Sequence, residues 1–326
     1  MMKFKRSISI SLFLFVGILL SACNSGSTSE KIWTPETDGV LSAAVSNTGH
    51  YVLLGTDSGK ANLWDLKKKK SLLHSWQHQE ENETSGIIAV DLSYDDKFAL
   101  TAEENSLVWW RVSDGKVLGY WKIEGIKSIA ISKDGQFGII GFRDYAQYFS
   151  LKTSKTKFRF EHPDFVKAVA VSDDGRYALT GSDNAEAKLW SLKNGKLLHT
   201  WKYKTKLITV ALSPDGKYAM TNAVLGETRV WKTKDGKLKH KFLPKRVTNS
   251  SAAFNSSGQK LVTGRVTQRI DLWSSKSGKQ LKSWLPKKSD NWRPSSANIV
   301  EIGFTNKDKK IISVTSNGII QRWNVN

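Results

Sequence analysis

Six histidines and a single cysteine, Cys23, are the chemically versatile side chains of this 326-residue chain. His74, His199 and His240 each stand two residues before an aromatic that recurs along the sequence, so a repeat accounts for them. His50, His78 and His162 show no His-x-x-x-His spacing, and one cysteine can neither complete a thiolate cluster nor form an internal disulfide. No nucleophile elbow, phosphate loop or paired-carboxylate motif stands on a distinctive segment. Glu103-Glu104 and Asp173-Asp174 fall in turn-like stretches where acidic residues are ordinary. The expectation is a protein that is not an enzyme, with no metal and no cofactor.

The elements that position these residues are set by repetition. Trp64, Trp110, Phe149, Trp190, Trp231, Trp273 and Trp323 are spaced by 46, 39, 41, 41, 42 and 50 residues. Seventeen or eighteen residues before them stand Ser46, Ser93, Ser132, Ser172, Ser213, Asn255 and Thr305. Three residues later come Gly49, Asp96, Gly135, Gly175, Gly216, Gly258 and Asp308, which mark a turn of positive φ. A second turn carries Gly115, Gly195, Gly236 and Gly278, with a lysine next in six units: Lys70, Lys116, Lys155, Lys196, Lys237 and Lys279. A further aromatic follows in Trp76, Trp121, Phe160, Trp201, Phe242 and Trp284. Short alternating strands with turns every 8–12 residues, in units of about 40, describe an all-β, seven-bladed β-propeller of four-stranded antiparallel blades.

The last unit stops at Trp323-Asn324-Val325-Asn326 and has no fourth strand. Ile32-Trp33 lies 13 residues before Ser46, the distance expected of a fourth strand, so the N-terminal strand closes the last blade and covers its open edge.

With that pattern the chain resembles WD40-repeat proteins over residues 32–326, most closely in VSDDGRYALTGSDNAEAKLWSLKNGKLLHTW. Two departures matter. Only Trp64-Asp65 keeps the Trp-Asp dipeptide, and no unit has Gly-His before its first strand, so the resemblance implies a hydrogen-bonded tetrad either absent or rebuilt. Ser182 with Asp183 keeps part of it.

The first 22 residues read as a signal peptide: Lys3, Lys5 and Arg6, then the apolar stretch 8–20, then Leu20-Ser21-Ala22-Cys23. That ending is similar to the lipobox of bacterial lipoproteins, which implies cleavage before Cys23, its acylation, and a membrane anchor. By the same resemblance Asn24 points to the outer membrane, facing the periplasm. Residues 23–31 form a short polar tether. The formal charge is +20, and +17 without the leader, which attracts polyanions; the envelope address argues against nucleic acid.

Three surface features are candidates for binding. The lysines after the second turn form a ring on one face, to hold the disc on anionic headgroups or to keep edge strands apart. On the opposite face Glu80, Glu81, Glu83, Glu124, Glu161 and Asp164 make one half acidic. Lys202, Lys204, Lys206, Lys245, Arg246, Lys287, Lys288 and Arg293 make the other basic. The longest connection between blades, 285–298, carries Trp292, which the repeat does not explain. Trp292, Arg293, Lys287, Lys288, Lys245 and Arg246 are therefore the expected contacts of a partner. The reading that results is a lipid-anchored, non-catalytic binding platform of the cell envelope that holds a protein partner. A basic binder of wall polymer or lipopolysaccharide, and an enzyme with a site in the propeller channel, are its alternatives.

Overall fold

The computed structural model describes residues 28–325, apart from residue 36 and segments 69–70, 79–84, 243–245 and 288–296. Its strands form seven four-stranded antiparallel sheets arranged as blades. Blade 1 is β2 (Val40–Val45), β3 (Tyr51–Thr56), β4 (Ala61–Asp65) and β5 (Leu72–Trp76), in the order a, b, c, d from the centre outward. Blades 2 to 6 repeat this plan with consecutive strands. Blade 7 takes strand d from the other end of the chain: β1 (Lys31–Trp33) pairs with the third strand, β28 (Ile320–Asn324). The pairing Trp33↔Ile320 has the register of Trp76↔Ala61 in blade 1, so Trp33 is the expected fourth-strand aromatic.

The repeated side chains explain the local geometry. All seven residues expected at positive φ are there, from Asp96 at 59° to Gly49 at 70°. The serine three residues earlier accepts the N–H that opens strand b, for example Tyr51 N to Ser46 Oγ at 3.0 Å and Tyr218 N to Ser213 Oγ at 2.9 Å. A hydroxyl thus satisfies a donor that the tight turn leaves over. In blades 1 to 6 the pairing of strands c and d shifts register at the repeated aromatic, a bulge that the spacing did not foretell.

Between blades, the strand d aromatic stacks on the strand c aromatic of the next. Trp76–Trp110, Phe160–Trp190, Trp201–Trp231 and Phe242–Trp273 have centroids 4.8 or 4.9 Å apart; Trp121 meets Phe149 edge-on at 5.3 Å. Such pairs add about 0.5–1.5 kcal/mol each beyond the area they bury. No blade can bury these rings alone, which is why the unit must be repeated and the ring closed.

Candidate functional site

Five of the six repeated tryptophans send their indole N–H to a hydroxyl on strand b. Trp110 donates to Thr101 (2.7 Å), Trp190 to Thr180 (2.9 Å), Trp231 to Thr221 (2.8 Å), Trp273 to Thr263 (3.1 Å) and Trp323 to Ser313 (2.9 Å). Blade 3 replaces both partners with Phe149 and Ile140. Blade 1 replaces only one: Leu54 stands where the hydroxyl would be, and Trp64 Nε1 is buried without a partner.

The tetrad is rebuilt, by histidines from the loops joining strand d to strand a. His78 Nε2 meets Thr101 Oγ1 at 2.7 Å, and its Nδ1 meets Ser106 Oγ, which donates to Glu103 at 3.1 Å. His162 Nε2 meets Thr180 Oγ1 at 2.7 Å, while Asp183 pairs with Lys167 instead (2.8 Å). In blade 5 the Tyr203 hydroxyl takes the same place against Thr221. Burial lowers both histidines to about 4, so they are neutral links at pH 7 and not proton shuttles. His74, His199 and His240 are structural as expected, and the reason is now specific. Each Nε2 meets a backbone carbonyl of the next blade's c–d turn at 2.9 Å: Val112, Thr233 and Lys276. Their rings lie where a Cβ at Gly115, Gly236 or Gly278 would sit, so those glycines are needed for contact as well as for φ.

Seven strand a segments line the central channel, which holds about 490 Å³ toward the a–b turns. Two levels of these strands carry small residues: Ala44, Ala130, Ala170, Ala211, Ala253 and Gly303 at one, Ser42, Ala89, Ser128, Ala168, Thr209 and Ser251 at the next. Two carboxylates break the pattern. Asp91 occupies the first level in blade 2, holding Ile131 N and Leu92 N at 2.8 Å; burial raises its carboxyl to about 6. Glu301 occupies the second in blade 7, accepts from Ser251 at 3.0 Å, and is raised to about 8 by burial, with Asp91's charge adding to the rise. Two carboxyls can hold a proton or a polar ligand. Among the described residues no three His, Cys, Asp or Glu side chains are placed to bind a metal.

The two faces of the disc differ. The a–b and c–d turns share one face with Lys116, Lys155, Lys196, Lys237 and Lys279, all exposed; Lys70 lies outside the described residues. The start of β1 belongs to this face too, since Glu30 pairs there with Lys310 at 2.5 Å. The opposite face exposes Leu41, Ile208, Leu225 and Leu285. Leu225, 66% exposed, sits in the b–c turn of blade 5 at φ 46°, a conformation that costs a leucine about 1–2 kcal/mol. Arg246 (φ 61°), Lys202, Lys204, Lys206 and Lys287 are exposed on the same side, and Lys287 N donates to Gln321 at 3.1 Å. Of the expected contacts, Trp292, Arg293, Lys288 and Lys245 lie outside the described residues, as do Cys23, Glu80, Glu81 and Glu83. Leu225 and Leu285 were not singled out from the sequence; an exposed leucine carries no pattern of its own.

Residues 153–191 match the WD40 family pattern (WD domain, G-beta repeat). The matched stretch runs from strand d of blade 3 to strand c of blade 4 and includes the Thr180–Trp190 pair. No curated protein matches the chain as a relative. Propellers built on this repeat generally mediate protein–protein interaction and are typically non-catalytic. The protein is a seven-bladed β-propeller that carries a WD40 repeat in its fourth blade.

Proposed function

We propose that the protein is a non-catalytic interaction platform anchored to a bacterial membrane through Cys23, on the outer membrane facing the periplasm. The observation that carries this reading is the division of labour between the faces. The chain enters the propeller on the lysine-bearing face, whereas Leu41, Ile208, Leu225 and Leu285 are exposed on the opposite one. A short tether at the first face turns the second away from the bilayer, toward partners. Exposed apolar anchors beside Lys202, Lys204, Lys206, Arg246 and Lys287 suit a protein with an acidic, partly apolar surface. Trp292 and Arg293 follow Leu285 in the sequence, and we include them among the candidate contacts on the composition of that segment alone.

The test is capture from solubilised envelope extract on the immobilised chain from residue 24, washed at low and then high salt. Retention of a discrete protein in high salt, lost with Leu225→Asp or Trp292→Ala, supports the platform. A second reading, a binder of phosphate-rich envelope polymer, is favoured by the five exposed lysines on the other face. Retention only of polymer, released by salt, selects that reading, because exposed charges are screened beyond about 8 Å at physiological ionic strength.

A further inference from the structure

The seam that closes the ring is built differently from the other blade interfaces. Elsewhere two devices close the outer part of the interface. The strand d aromatic lies against the strand c aromatic of the next blade, at 4.8–6.3 Å between centroids. In four blades a ring two residues earlier (His74, Phe158, His199, His240) also covers the glycine of the next c–d turn. At the seam both devices are missing. The residue two before Trp33 is Lys31, whose ammonium lies 4.7 Å from the Trp33 ring centre, with Arg322 at 5.5 Å. The c–d turn of blade 1 has no glycine but four consecutive lysines, Lys67 to Lys70, of which the last two lie outside the described residues. Trp33 and Trp64 do not stack. They line a cleft of about 450 Å³ with Pro35, Leu66, Leu72 and Ile320.

The cleft has an apolar body and a charged rim. Lys68 lines it with its side chain 72% exposed, and Lys67 beside it is exposed too; Asp65 is its one described acid, 4.0 Å from the Lys68 ammonium. Two half-buried indoles favour a hydrocarbon occupant, and Lys67 and Lys68 favour a negative charge at its end. The c–d turn also belongs to the face on which β1 begins.

We propose that the seam cleft binds one anionic phospholipid, its acyl chain between Trp33 and Trp64 and its phosphate at Lys67 and Lys68. This deepens the membrane-anchored reading, on which the choice of a lipid over other anionic amphiphiles rests. Such a contact fixes the azimuth of the disc on the bilayer, which a flexible tether alone leaves free.

The test uses the chain from residue 24, which keeps every strand of the propeller, with dihexanoylphosphatidylglycerol below its micelle concentration, followed by calorimetry and native mass spectrometry. One-to-one binding is expected, at least about tenfold weaker for the phosphatidylcholine analogue and for glycerol phosphate without chains. Lys68→Glu abolishes it, Trp33→Ala weakens it, and Lys116→Glu, a lysine elsewhere on the same face, leaves it unchanged. Thermal melting of each variant shows whether the fold is intact; where Trp33→Ala melts early, Lys68→Glu decides. Equal binding of glycerol phosphate, an equal loss with Lys116→Glu, or preference for an acidic peptide overturns the assignment. Absence of lipid binding with partner capture intact removes the cleft and spares the platform; lipid binding without a captured partner does the reverse.

Discussion

Replacing a strand b threonine with valine keeps the side chain's shape and removes only its hydroxyl, so it isolates the tryptophan–hydroxyl bond inside a blade. In blade 6, Thr263 is 1% exposed and serves Trp273 alone, at 3.1 Å. Thr263→Val therefore strands one buried donor, at a cost of about 1–3 kcal/mol. In blade 4, Thr180 is fully buried and serves both Trp190 (2.9 Å) and His162 (2.7 Å). Thr180→Val strands two groups and costs about 2–6 kcal/mol by the same reckoning. Blade 1 is the internal control: Leu54 already leaves Trp64 Nε1 unpaired. Trp64→Phe sacrifices no hydrogen bond and changes stability by less than about 1 kcal/mol, its ring being only half-buried at the cleft. Urea unfolding followed by far-ultraviolet circular dichroism measures all three. The reasoning fails if Thr263→Val and Thr180→Val cost the same, or if Trp64→Phe is the most damaging of the set.

Three further outcomes are expected. His78 and His162 have folded pKa values of about 4 against an ordinary 6.5, so between these values the unfolded chain takes up protons that the folded chain refuses. Stability falls as pH drops from 6.5 to 4, by up to about 3 kcal/mol per histidine, and a His78→Gln, His162→Gln double variant shows a flatter profile of melting temperature against pH. Glu301 acts in the opposite sense. Its folded value of about 8 exceeds the ordinary 4.5, so the folded chain keeps a proton the unfolded chain has released, and stability declines as pH rises from 4.5 to 8. Glu301→Gln removes that decline, and at pH 9 it melts above the parent. Leu225→Gly relieves the positive φ but adds freedom to the unfolded chain, so stability stays level or rises by up to about 1 kcal/mol. Partner capture drops at the same time; unchanged capture would show that Leu225 is not a contact.

The period of the aromatics alone determined the blade count, the order of strands and the closure by Ile32-Trp33. A unit that cannot bury its own rings must state its period in sequence, and a turn of positive φ must announce itself as glycine or aspartate. The roles of His74, His199 and His240 were legible for the same reason: they keep step with the repeat. What the tertiary structure decided lies in departures from the repeat. His78 and His162 rebuild the tetrad from loops of unequal length, so no fixed spacing to Trp110 or Trp190 reveals them. Asp91 and Glu301 come from blades 2 and 7, 210 residues apart in the chain, and become neighbours only when the ring closes. Trp33 and Trp64 looked like one more pair in register; that they stand apart around a cleft follows from Lys31 and from Lys67 and Lys68, whose flexible, hydrated side chains cannot replace a packed ring. Local sequence specifies each blade, but the joint where the two ends of the chain meet is a property of the closed ring.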